Sequence, residues 1–101
     1  MQMLLQVKFP IDPFNAAVRD GSVGKKIKSI LDDTKPEAAY FTEIDGHRGV
    51  ILIVNLDDPS KVPALAEPWF LQFNAECSFR IVMTPDVLAK GGLEALGKKW
   101  A

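Results

Sequence analysis

The sequence predicts an α+β fold in the order β-α-β-β-α-β, a four-stranded antiparallel sheet with two helices packed on one face. Three observations lead there. Short runs alternate apolar and polar residues with the period-two rhythm of half-buried strands. An Asp45-Gly46 pair separates two such runs, a strong hairpin signal because both central residues tolerate positive φ. Two longer stretches show apolar residues at helical spacing.

The first strand is Met3 to Phe9, where Leu5, Val7 and Phe9 alternate with Gln6 and Lys8 before Pro10 stops it. Asp12 stands as an N-cap with Pro13 at the first helical position. Phe14, Ala17, Val18, Ile27, Ile30 and Leu31 then fall near one helix face. Gly21 and Gly24 weaken the middle of that helix, so a break or a close approach is expected there. Pro36 ends it by pushing Lys35 out of the α region.

The hairpin spans Ala38 to Leu56, with strand two at Ala39–Ile44 and strand three at Gly49–Leu56. Strand three, Val50-Ile51-Leu52-Ile53-Val54, is apolar on both faces, which marks a central strand covered on both sides. Asp57-Asp58-Pro59 opens the second helix, along which Val62, Leu65, Ala66, Trp69, Phe70 and Phe73 share a stripe. Pro63 fits its first turn, whereas Pro68 predicts a kink. The fourth strand is Cys77 to Met83. Thr84-Pro85-Asp86 begins a short C-terminal helix, broken near Gly91-Gly92, with Trp100 as its docking anchor.

This element order is the ferredoxin-like arrangement. At 101 residues the chain suits a single domain over 1–101, with 84–101 as a C-terminal helical extension. Twelve Lys and Arg against 13 Asp and Glu leave a net charge of −1, without the basic excess of a nucleic-acid or anionic-membrane binder. The clusters at Lys25, Lys26 and Lys28, and at Lys98 and Lys99, read as solvated helix faces. Cys77 is the only cysteine, so no internal disulfide forms. The opening MQMLLQVKFP has too short an apolar stretch for a secretory leader, and no segment has the length of a membrane span. The expected compartment is the cytoplasm.

A two-residue turn sets Phe41 opposite Val50 and Tyr40 opposite Ile51, and paired residues share a face. Phe41, Val50, Leu52 and Val54 then pack under the helices with Leu5, Val7, Phe9, Phe79 and Ile81. The other face carries Gln6, Lys8, Tyr40, Thr42, Ile51, Ile53, Asn55, Ser78, Arg80 and Val82. Its centre is apolar and its flanks are polar, as in association surfaces and ligand cavities.

In element order and patterning, nearly the whole chain resembles the dimeric α+β barrel superfamily, in which two ferredoxin-like sheets face one another. The resemblance implies a homodimer through the open sheet face, with a site inside the barrel or between sheet and helices. It transfers no catalytic residue. On this face Lys8 and Arg80, with Gln6, Tyr40 and Asn55, are expected to line a cationic site for a small organic acid. The competing expectation is that the two cations pair with acids or reach solvent.

Two alternatives stand beside that binding role. One is an enzyme of the cofactor-free monooxygenase or isomerase kind, with Tyr40, His47 or Arg80 in acid–base or oxyanion roles. It requires a concave cavity reaching at least two of those side chains. The other is a purely structural or interaction module. His47, beside the hairpin turn, is expected to be solvated. Glu43 and Arg48 are expected to form a cross-strand ion pair, and Cys77 to be structural. One His and one Cys build no zinc site, and no cofactor motif is present. The RNA-recognition motif shares this element order, but strand three lacks its stacking rings, so nucleic acid is not an expected partner.

Overall fold

The computed structural model describes residues 1–101. Strand β1 (Gln2–Lys8) leads into helix α1 (Ile11–Arg19) and helix α2 (Val23–Thr34). Strands β2 (Ala38–Ile44) and β3 (His47–Asn55) form the hairpin. A 3₁₀ turn (Pro59–Lys61) and helix α3 (Val62–Phe73) follow, then strand β4 (Glu76–Ile81). Two short helices, α4 (Pro85–Ala89) and α5 (Leu93–Lys99), end the chain. The sheet is antiparallel throughout in the order β2-β3-β1-β4, which is the ferredoxin-like topology.

The turn has the geometry its sequence predicts. Asp45 and Gly46 take φ of 51° and 77°, and Tyr40 pairs with Ile51, Phe41 with Val50. The long first helix is two helices. Gly21, at φ 81°, turns the chain between them, and Asp20 Oδ1 accepts the Ser22 N–H at 2.8 Å. Pro10, in extended geometry, is the N-cap of α1, so Asp12 sits within the first turn as a favourable charge near the helix N-terminus. Pro68 removes one donor from the ladder of α3 without ending it; the helix continues to Phe73, where Asn74 adopts the left-handed cap.

One face of the sheet is covered. Met3, Leu5 and Val7 of β1 and Val50, Leu52 and Val54 of β3 are buried beneath the helices, together with Phe9, Phe14, Trp69 and Phe73. The four rings form a continuous cluster: Phe9 lies 4.9 Å from Phe14, 5.1 Å from Phe73 and 5.8 Å from Trp69, centre to centre. These are distances at which aromatic quadrupoles attract. The space between sheet and helices is therefore occupied by side chains.

The covering stops short of both edges. By register Phe41 and Ile81 belong to the helix side, yet they are 53% and 61% exposed. The three helices cover the central strands β3 and β1 and part of β4, where Cys77 and Phe79 pack against the core, but they leave Phe41 on β2 and Ile81 at the end of β4 bare. The expectation that both residues pack under the helices is corrected accordingly. The C-terminal segment also departs from expectation. It forms two helices, and every residue from Met83 to Ala101 is exposed, Trp100 by 77%. Within its own chain the Trp100 ring meets the Lys99 ammonium, 5.4 Å from its centre, and it packs into no core. The chain extends 59 Å along its longest axis, and no helix is long and apolar enough to cross a membrane.

Candidate functional site

The open face is a grid of four cross-strand rows set by the registers of the three pairings. The first row is Glu76, Lys8, Gly49 and Thr42; the second is Ser78, Gln6, Ile51 and Tyr40. The third is Arg80, Leu4, Ile53 and Ala38. The fourth pairs Gln2 with Asn55, and Val82 closes it by donating its N–H to the Gln2 carbonyl. All five expected ligand-contacting residues, Gln6, Lys8, Tyr40, Asn55 and Arg80, lie on this face. Leu4 lies there too, although the sequence reading did not place it. Its even position, in phase with Gln6 and Lys8, was the available signal.

The apolar centre consists of Leu4, Ile51 and Ile53, each half-buried by its neighbours alone. Ile44 extends it at the hairpin end by lying across Gly49. A Cβ on Gly49 would stand 2.3 Å from Ile44 Cδ1 and 2.9 Å from the Val7 carbonyl oxygen. Glycine at this position lets Ile44 fold flat over the sheet.

The polar groups do not converge as a single cationic site. Lys8 lies in the first row and Arg80 in the third, four residues further along β4, or roughly 13 Å. The Lys8 ammonium lies 3.6 Å from Asp45 and 3.8 Å from Glu76, so two carboxylates of its own chain compensate its charge. At the far end the Asn55 amide donates to Glu37 Oε1 at 2.7 Å, and Gln2 donates to Glu37 Oε2 at 2.8 Å. Glu37 thus adds a carboxylate that the sequence reading had not assigned to this face. Arg80 makes no ion pair or side-chain hydrogen bond and is exposed. Tyr40 is exposed by 67% on the outer strand β2. Of the two expected cations, Lys8 is met by carboxylates of its own chain and Arg80 stands free beside an apolar patch.

Concavity on this face is slight. A hollow of about 200 Å³ at the hairpin end is lined by Gln6, Lys8, Ile44, Asp45, Glu76 and Ser78. A larger groove of about 720 Å³ lies on the opposite side, between α2 and α3. It mixes Lys25 and Lys26 with Asp33 and Glu67, so it presents no single sign of charge to steer an ion. A third hollow, beside α2, is lined by Lys25, Lys28, Ser29, Asp32 and Asp33. None of these three hollows is lined by Tyr40, His47 or Arg80.

His47 stays at the turn, with Nδ1 3.0 Å from the Asp45 carbonyl oxygen. Glu43 and Arg48 stand opposite one another but form no ion pair. Glu43 accepts the Gly46 N–H at 2.6 Å, while Arg48 reaches away to Asn15 Oδ1 at 2.8 Å and covers the Phe14 ring at 4.7 Å. Arg48 thus ties β3 to α1 through a hydrogen bond and a cation–π contact. Burial, and secondarily Glu67, pushes the Cys77 thiol up to about 11, so it is protonated at neutral pH and a poor nucleophile. No group of three or more His, Cys, Asp or Glu residues is placed to hold a metal ion.

The fold and its bare face define the chain as a ferredoxin-like α+β protein. No family model matches it, and no curated protein does. Among solved structures it is similar to the de novo designed protein Ferredog-Diesel, at a TM-score of 0.47 and 14% identity, over 80% of this chain and 85% of that one.

Proposed function

We propose that this protein acts as a homodimer joined through the open face of its sheet, and that the paired faces hold a small organic molecule, with Arg80 as the anchor for an acidic group. One observation carries the reading: Leu4, Ile51 and Ile53 make a half-exposed apolar patch at the centre of a face that no element of the same chain covers. Central strands with apolar residues on both sides require two covering layers, and the helices supply one. A second sheet is the matching partner, since two sheets stack about 10 Å apart with interleaved side chains. That arrangement is the one implied by the resemblance to dimeric α+β barrels.

A site between the sheets is favoured over one beneath the helices, where the aromatic cluster fills the space. Arg80, free of any internal partner, offers a planar two-point grip on a carboxylate. A second reading, an assembly module without a ligand, is favoured by Lys8, whose charge two carboxylates already meet. Thermal shifts with a panel of aromatic and keto acids separate the two. The binding reading expects at least one acid to raise the midpoint in the native protein and not in Arg80→Ala. No shift across the panel contradicts ligand binding and favours the assembly module.

A further inference from the structure

We infer that residues 84–101 are an exchanged arm, which leaves its own domain and packs along the β2 edge of a second copy. This rests on the dimer reading and adds to it which segment clasps the partner.

Helices α4 and α5 have five and seven residues, and isolated helices shorter than about 12 residues are marginal in water. Most helical stability in proteins comes from packing an apolar face against something else. Leu93, Leu96 and Trp100 recur at i, i+3 and i+7 along one face of α5, with Val87 and Leu88 presented by α4. All are exposed. The Thr84 hydroxyl caps α4 by accepting the Val87 N–H at 3.3 Å, and Gly92, at φ 71°, turns the chain between the helices. The arm is built as a structured element with an apolar face and no intramolecular surface to pack on.

The chain exposes 6881 Å², whereas a folded monomer of 11.1 kDa exposes roughly 5,700 Å². Its radius of gyration is 17.0 Å, against roughly 13 Å for a domain of this length. The surplus is on the order of 1,200 Å² per chain. A symmetric pair that hid it on both copies would bury about 2,400 Å², within the range of permanent homodimers.

Two sheets stacked on their open faces are related by a two-fold axis that runs either along the strands or across them. The axis along the strands places each β4 over the partner's β2, because these are opposite edges of the sheet. The arm starts where β4 ends, beside exposed Ile81 and Met83, and the β2 edge carries exposed Tyr40 and Phe41. Lys98 and Lys99 at the end of the arm are opposite in charge to Glu43, near one end of β2. Within its own chain the arm makes no such contact: every residue from Met83 to Ala101 is exposed.

The test compares the full chain with Leu93→Asp/Leu96→Asp and with Ile53→Glu by sedimentation, acrylamide quenching and hydrogen exchange. Both arm leucines are exposed within the chain, so the double variant leaves the fold intact, and an unchanged circular dichroism spectrum verifies that. Trp100 is read as the difference between the full chain and Trp100→Phe, since Trp69 is buried. The native dimer should shield Trp100 and protect the amides of β2. The arm variant should lose both and raise the dimer dissociation constant by about 100-fold or more, as loss of central apolar anchors does. A dimer that Ile53→Glu dissociates, but whose Trp100 stays open and whose arm variant is as tight, overturns the arm and keeps the sheet-face reading. Arm dependence with an indifferent Ile53→Glu retains the arm and overturns the sheet face. A monomer at all concentrations overturns both.

Discussion

Leu4 and Ile53 stand directly opposite one another on the two central strands, half-exposed on a face that their own chain leaves open. Their neighbours Leu5 and Leu52, one residue along and on the other face, are almost fully buried. The same backbone thus carries two apolar layers, one satisfied and one waiting.

The tightest steric constraint on the open face is at Gly49. Gly49→Ala should destabilise the protein by roughly 1–3 kcal/mol, because the new methyl meets the Val7 carbonyl as well as Ile44. The measurement is the urea midpoint, with the slope of the transition unchanged. A neutral effect would mean that the β1–β3 spacing adjusts without cost. Gly46→Ala has a different cause and a smaller effect, about 1–2 kcal/mol, from a side chain placed at φ 77° with open space around it.

Arg48 is expected to hold α1 on the sheet. Arg48→Ala should cost about 1–2 kcal/mol by losing both the Asn15 hydrogen bond and the contact over Phe14. Arg48→Met, which keeps packing over the ring, should recover part of it. Equal losses for Glu43→Ala and Arg48→Ala in a double-mutant cycle, with strong coupling, would instead indicate a cross-strand pair.

Much of the fold was legible in residues that act locally. Asp45-Gly46 specified the hairpin register, and that register sorted Tyr40 and Thr42 onto the open face. Gly21 marked the break between α1 and α2. What stayed hidden depends on contacts between segments distant in the chain. That Lys8 meets Glu76 follows from the β1–β4 register, which no turn specifies, and its contact with Asp45 comes from a hairpin tip beside another strand. Phe41 and Ile81 had the right parity for the core, but parity does not reveal how wide a sheet the helices can cover. Trp100 looked like an anchor because its residue type buries well, and nothing in its spacing says against which chain.

Cys77 should alkylate slowly in the native protein. With its thiol pushed up to about 11 by burial first and Glu67 second, iodoacetamide at pH 8.5 should label the urea-unfolded chain on the order of 100-fold faster than the native one. The native rate should climb steadily between pH 9 and about 11. Rapid native labelling near neutral pH would contradict the buried setting.

Acid should weaken the protein at the starts of its helical segments. Asp20 is held below the ordinary aspartate range by hydrogen bonds from Ser22, Asp57 by Lys61, and Asp58 by the N–H and side chain of Ser60. A depressed folded-state value means that the stabilisation is present above the unfolded value and is lost as pH falls through the folded one. Thermal midpoints should therefore stay flat from neutrality to about pH 5 and fall below about pH 4. Asp58→Asn, which keeps an acceptor for Ser60, should flatten part of that acid limb. A main transition between pH 6 and 7 would contradict this assignment.

The most direct measurement is sedimentation equilibrium of the full chain at micromolar concentration, beside Ile53→Glu. The account predicts twice the 11.1 kDa chain mass for the native protein. It predicts the single chain mass for the variant, because a charge at the centre of the patch cannot be buried without a partner. A native protein that sediments as a single chain at every concentration would contradict it.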